Sequence, residues 1–338
     1  MFRDLLAKIY QRKDLTEEEM SAMLGDIFSG DTTDSQVGAF MGALATKGET
    51  NAELAGAARA MRKKAIRIET MAQDVIDTCG TGGDTSGTFN ISTVTAFVVA
   101  GCGVVVAKHG NRSISSQCGS ADVLEALGVN LDVDPEIVEE AIAEIGIGFL
   151  FAPKYHGALK YAARARKEVG LRSIFNMLGP LTNPAAANRQ LVGVFAPELT
   201  EMFARALQRL GTKRALVVHG HDGLDEISVC APTRVCELND GQISTYDIRP
   251  ETYFGRTAAA EEIAGGDPAQ NADIATKILS GHKDAKRDVV VINAAAALMA
   301  AGRAQNIEQG LEMAEQAIDT GAAKGKLNDL VEFTRENA

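Results

Sequence analysis

The chain has 338 residues, 46% hydrophobic and 23% charged, an ordinary globular composition with enough length for two packed units. Its formal net charge of −11 argues against a nucleic-acid or anionic-membrane surface, because binding a polyanion draws on summed lysine and arginine. The chain shows no secretory leader and no apolar run of spanning length, so the cytoplasm is the expected compartment, and five cysteines without C-x-x-C spacing support neither a disulfide framework nor a zinc site.

Residues 1 to about 70 read as helix throughout. Phe2, Leu5, Leu6 and Ile9 form one apolar stripe and Met20, Met23, Leu24, Ile27 and Phe28 another. Thr16 with Glu19, Thr33 with Gln36 and Thr50 with Glu53 have the spacing of capping boxes. These stripes, with Val37, Phe40, Met41 and Leu44, exceed what four short helices can bury among themselves. A share is therefore expected to form a homodimer contact through the N-terminal helices.

From about residue 74 to 338 strands and helices alternate, predicting an α/β domain with a mostly parallel sheet. A strand ends at Val75 and Ile76, and others are expected over 103–107, 148–151, 191–195, 215–218 and 234–238. Helices are expected over 121–127, 135–144, 197–210, 273–281 and 293–301. Residues 156–188 interrupt the alternation, with turn signals at Gly179-Pro180 and Asn183-Pro184, and are expected to return to the helical domain.

The most informative stretch is a strand, a glycine loop (Gly80, Gly82, Gly83, Gly87) and a buried helix from Ile91. Glycines let the backbone approach an anion and a helix start offers unpaired N–H groups, so the loop suits a phosphate or diphosphate, with Asn90, Ser92 and Thr93 as further donors. Thr85 breaks the dinucleotide fingerprint, and Thr88 and Phe89 stand where a P-loop needs Lys and Ser/Thr. Taken alone, the cluster reads equally well as a structural turn.

A second stretch, Lys108 to Gly128, places Lys108, His109 and Arg112 within five positions, flanked by Ser113, Ser115, Ser116 and Ser120. On an acidic chain, this reads as a local anion site beside the glycine loop, since loops at strand ends gather in one crevice. Ser120 also reads as an N-cap with Asp122 in the first turn. In a third stretch, Val217 to Ser228, Asp222, Asp225 and Glu226 follow a strand; together with Asp84 they suit magnesium. His219 and His221 lack a third soft ligand for zinc. The fourth, Phe151 to Pro184, carries His156, Lys160, Arg164 and Arg166 around one helix, and periodicity does not decide which faces the crevice.

CGTGGD at 79–84, FNIST at 89–93, KHGNRSISS at 108–116, GSADVLEALG at 119–128, FNMLGPLTNP at 175–184 and DGLDEIS at 222–228 together resemble the anthranilate phosphoribosyltransferases, over essentially the whole chain. The resemblance implies a fold of the nucleoside phosphorylase/phosphoribosyltransferase type, a small helical domain joined by hinges to a larger α/β domain, and dimerisation through the helices. It implies transfer of the 5-phosphoribosyl group from phosphoribosyl diphosphate to the amine of anthranilate in tryptophan biosynthesis. Gly80, Gly83, Asp84, Thr88, Asn90, Ile91, Ser92, Thr93, Lys108, His109, Gly110, Asn111, Arg112, Ser113, Ile114, Ser115, Ser116 and Ser120 match the donor site. Gly80, Asn111 and Arg166 match anthranilate contacts, and Ser92, Asp225 and Glu226 match Mg2+ ligands. Lys108, Asp225 and Glu226 are the residues expected to stabilise the leaving diphosphate. One departure stands out: the family commonly has proline where this chain has Gly157. A pyrimidine nucleoside phosphorylase looks similar around its Lys-His loop but has no need of the acidic pair. A nucleic-acid-binding relative would be expected to carry a basic surface.

Overall fold

Thr16, Thr33 and Thr50 each accept a backbone N–H at the start of a helix while Glu19, Gln36 and Glu53 bond back, so the expected capping boxes form. The computed structural model describes residues 1–84, 86–113 and 117–337. The opening helices are α1 (Phe2–Tyr10), α2 (Glu17–Ser29), α3 (Asp34–Lys47) and α4 (Asn51–Lys64). There follow β1 (Ile76–Gly80), α5 (Ile91–Gly101), β2 (Val106–Gly110), α6 (Ser120–Ala126), α7 (Pro135–Glu144), β3 (Ile147–Phe151), α8 (Ala152–Tyr155) and α9 (Lys160–Val169). The chain continues through β4 (Arg189–Gly193), α10 (Leu199–Arg209), β5 (Arg214–Gly220), β6 (Thr233–Asn239) and β7 (Gln242–Ile248). It closes with α11 (Pro250–Phe254), α12 (Pro268–Leu279), α13 (Ala285–Ala300), α14 (Ile307–Asp319) and α15 (Ala322–Glu336).

The sheet order is β3-β2-β1-β4-β5-β6-β7, parallel from β3 to β5 and antiparallel at β5–β6 and β6–β7. The chain runs outward from central β1 to β3 and then returns to β4 on the other side, so the switch point, where such sheets bind ligands, lies between β1 and β4. Strand β7 was not expected from the sequence. Asp240 and Gly241 both have positive φ, the geometry of a two-residue hairpin turn, and their Asp-Gly pair was the missed signal. The strand expected at 103–107 starts instead at Val106, because Gly103 at φ +77 ends α5. The strand expected to end near Ile76 instead begins there. Helices α14 and α15 also went unforeseen, and 293–301 is the second half of the longer α13.

Side-chain alternation divides the sheet between two cores. Ile76, Val106, Leu191, Leu216 and Val218 face α5 and α13, whereas Cys79, Val192, Ala215 and Val217 join the core of the N-terminal helices. Leu5 and Leu6 of α1 are only partly buried, whereas Met20, Met23, Leu24, Ile27, Val37, Phe40, Met41 and Leu44 are all buried within the chain. Their cover comes from distant sequence, including Ala162 and Ala165 of α9, Phe175, Leu178, Leu181 and Phe203 of α10. Among the described residues no helix is long and apolar enough to cross a membrane.

Candidate functional site

At the switch point the ends of β1 and β4 are glycines because the loop after β5 lies against them. A Cβ on Gly80 would stand 2.6 Å from Asp225 Oδ2, and one on Gly193 would overlap the Asp225 carbonyl oxygen. Asp225 Oδ2 accepts the Gly82 N–H at 2.8 Å, and the Asp225 N–H reaches Asp84 Oδ2 at 3.4 Å. Glu226 Oε1 accepts the Ser92 N–H at the start of α5 at 3.1 Å. The glycine loop, the acidic pair and the helix start thus meet, with Gly82, Gly83 and Gly87 all at positive φ. Burial pushes the Asp225 carboxyl up, with Asp84 adding to it, and likewise pushes Glu226 up, with Asp225 adding.

That electrostatic strain is what a divalent cation relieves, and the donors are hard oxygens. Among the described residues no three His, Cys, Asp or Glu side chains close around an ion. A magnesium ion here would therefore draw its other ligands from substrate phosphates and water, its usual habit. Asp222 does not take part: its Oδ2 accepts the Ser228 hydroxyl at 2.6 Å and shapes the loop. His219 Nδ1 lies 2.7 Å from the Val194 carbonyl. The acidic loop is held from below by a residue that sequence reading missed. Asn293 of α13 accepts the Ile227 N–H at 2.9 Å and donates to its carbonyl at 2.8 Å. Its signal was a lone amide in an alanine run.

The cluster of Lys108, His109 and Arg112 does not converge. Period-two alternation along β2 sends the first two to opposite faces. The Lys108 ammonium donates to the Thr78 carbonyl at 2.6 Å and lies 3.4 Å from Ser92 Oγ. It is 4% exposed, and burial lowers its pKa. His109 faces the other way, with Nδ1 3.2 Å from the Gly179 carbonyl and Nε2 3.2 Å from His156 Nε2. Burial, then His156, holds its pKa down to about 3. Arg112 bonds Asp122 and Glu125.

Asp122 also accepts the N–H groups of Ser113 and Gly119, so Gly119 is the N-cap of α6 and Ser120 its first residue. Ser120 instead ties Asn111, accepting its N–H and donating to its carbonyl, each at 3.2 Å. Gly110 leaves room for this hydroxyl and for Phe149. Ile114, Ser115 and Ser116 lie outside the described residues. Asn90 links the start of α5 to the Cys118 carbonyl and to Asn271. Thr88 bridges to Ala264, while Ile91 and Thr93 are buried beneath the loop.

Of the cations in α9, Arg164 bonds Glu168 and faces Asp34, and Lys160 lies over Tyr161. Arg166 is different. It is half-buried, its guanidinium lies 5.5 Å from the Phe175 ring centre, and among the described residues no carboxylate pairs with it. A Cβ on Gly157 meets nothing within 4 Å, so no steric demand explains the glycine there.

A helical bundle on a largely parallel sheet, with a glycine loop and buried carboxylates at the switch point, defines a two-domain glycosyl transferase. The family described as "Glycosyl transferase family, helical bundle domain" matches residues 3–65 and "Glycosyl transferase family, a/b domain" matches residues 72–324. The chain is 65% identical over 337 residues to the anthranilate phosphoribosyltransferase of Syntrophobacter fumaroxidans and 65% over 338 to that of Desulfosudis oleivorans, covering 100% of each chain. The crystal structure of anthranilate phosphoribosyltransferase from Thermus thermophilus superposes with a TM-score of 0.93 at 41% identity, covering 98% of this chain and 99% of that one. The Saccharomyces cerevisiae enzyme in complex with PRPP and Mg superposes at 0.90 with 26% identity, covering 99% and 98%. The chain belongs to the anthranilate phosphoribosyltransferase family.

Proposed function

We propose that this chain transfers the 5-phosphoribosyl group from phosphoribosyl diphosphate to the amine of anthranilate, releasing diphosphate, in tryptophan biosynthesis. The observation that carries the reading is the meeting of Asp225 and Glu226 with Gly82 and Ser92 at the switch point. Its donor set suits a magnesium diphosphate. Asp225, Glu226 and Ser92 would hold Mg2+, which when bound supplies neutralisation of charge on the departing diphosphate. The loop from Gly80 to Thr93 and the segment from Lys108 to Ser120 would cradle the donor.

Lys108, buried beneath this site, balances the acidic pair. It keeps the pocket electrostatically ready for an anion carrying its own cation. Arg166, free of carboxylate partners among the described residues, offers a planar fork to the anthranilate carboxylate. Gly80 and Asn111 complete the acceptor contacts in this reading. An aryl amine is a weak nucleophile, so the remaining acceleration comes from holding it against the ribose carbon. His109, neutral and bonded to Gly179 and His156, is not assigned as a base.

The boundaries proposed for the two parts are 1–70 and 74–338. The enzyme is proposed to work as a cytoplasmic homodimer through the helical part, without a nucleic-acid partner; sedimentation at micromolar concentration giving only monomer would overturn the dimer. The deciding assay mixes purified protein, magnesium, anthranilate and phosphoribosyl diphosphate and follows the fluorescent product. Turnover that requires all components and disappears in Asp225→Ala/Glu226→Ala supports the reading. Absence of product, or phosphorolysis of a pyrimidine nucleoside instead, would overturn it.

A further inference from the structure

Strands β1 and β4 pair along five residues, from Ile76 opposite Arg189 to Gly80 opposite Gly193. Strands β1 and β2 pair only at Ile76 and Val106. A regular parallel ladder continuing from there would send the Thr78 N–H to the Ala107 carbonyl and the His109 N–H to the Thr78 carbonyl. Side chains hold three of those four groups instead. The His109 N–H donates to Asp77 Oδ1 at 3.1 Å, the Ala107 carbonyl accepts from Asn183 Nδ2 at 2.8 Å, and the Thr78 carbonyl accepts the Lys108 ammonium at 2.6 Å.

Two of these bonds belong to one wedge of Asp77 and Asn183. Asn183 Nδ2 also donates to Asp77 Oδ2 at 2.8 Å, and its Oδ1 accepts the Ala185 N–H at 2.9 Å. Asp77 is fully buried and Asn183 is 3% exposed. A buried carboxylate and amide that served packing alone would be better replaced by apolar groups. Here they satisfy the two β2 backbone groups that face the gap, the His109 N–H and the Ala107 carbonyl, and leave the Thr78 carbonyl of β1 to the Lys108 side chain. Neither residue figures among those matched to the substrates.

We infer that Asp77 and Asn183 are positioning residues that wedge β1 from β2, so that the Lys108 ammonium lies on the Thr78 carbonyl beside Ser92 and beneath the diphosphate site. The inference rests on the proposed function of that site. Asp77 acts through Lys108: its negative charge and its hold on the His109 N–H set where the lysine emerges.

The test compares the full-length wild type with Asp77→Asn, Asn183→Leu, Lys108→Met and Asp77→Asn/Lys108→Met, measuring kcat, both KM values and thermal melting. Asp77→Asn should lower kcat about ten-fold or more with the anthranilate KM within about two-fold, and the same change on Lys108→Met should cost less than about two-fold further, because residues acting as one unit are non-additive. Losses that multiply, or an Asp77→Asn enzyme with wild-type kcat, would overturn the wedge. Should Asn183→Leu fail to fold, the isosteric Asp77→Asn decides. If the wild type itself shows no transferase activity, the proposed function falls and calorimetry with magnesium diphosphate judges the wedge separately: weakened binding in a normally melting Asp77→Asn supports it, and unchanged binding overturns it.

Discussion

At the scale of single residues, the site is limited by space as much as by charge. Gly80 faces the flexible end of Asp225 and Gly193 its backbone, so the two glycines answer differently to one methyl group. Gly80→Ala should fold with a near-normal melt but lose most of its activity, because the carboxylate must swing away. Gly193→Ala should lose roughly 3 kcal/mol of stability, the upper end of overpacking costs; denaturant melts and turnover separate the two outcomes. Arg166→Ala removes a charge-assisted fork worth about 1.5–3 kcal/mol. It should lower kcat/KM for anthranilate ten- to a hundred-fold with affinity for the diphosphate donor little changed. Lysine should restore only part, and calorimetry showing the donor lost instead would move the assignment elsewhere.

The buried histidine pair gives a pH prediction at the same scale. Burial lowers His156 to about 4, and burial with His156 lowers His109 to about 3, both below the ordinary imidazole value. The unfolded chain therefore binds these protons first. The stability contributed is fully present above about pH 6.5 and is lost as pH falls toward the folded values. Each histidine should cost about 2 kcal/mol between pH 7 and pH 5. His156→Gln should shallow that acid slope by about half in urea melts taken across the window. An unchanged slope would show that other groups govern acid unfolding.

Among the elements, α13 decides where the acidic loop sits. Its side chains from Val289 to Leu298 are buried without exception, and Asn293 presents the one amide that matches both backbone groups of Ile227. Asn293→Leu keeps the volume but leaves two buried backbone groups unpaired, at about 1–3 kcal/mol each. The protein should lose roughly 2–6 kcal/mol in a denaturant melt. Activity should fall further than stability, since Glu226 precedes Ile227. A variant as active and stable as wild type would dismiss the clamp.

Across the whole molecule, the N-terminal helices depend on the rest of the chain. Phe28 and Phe40 both pack edge-on against Phe175, and α10 and α9 complete their core. A fragment of residues 1–65 should therefore lack a cooperative thermal transition by circular dichroism, despite its capping boxes. A sharp melt would show that the bundle closes its own core. Bonds from the segment around Gly179 to Asn183 knit the two parts together: its carbonyls accept from Arg62 of α4, Gln190 of β4 and, at Gly179, face His109.

By itself the sequence determined the helix starts, the alternation that makes a parallel sheet, the glycine loop and the acidic pair, because each is written in residues only a few positions apart. The motifs in family order also carried the chemistry. Proximity in sequence misled at Lys108, His109 and Arg112, because alternation along a strand separates neighbours and local carboxylates take the arginine. Only the tertiary structure decided that the stripes of α2 and α3 find their cover within the chain, and that Asn293 and Asn183 serve the site from 66 and 106 positions away from their partners. Burial and hydrogen-bond partnership are set by what folding brings together, and no local pattern records them.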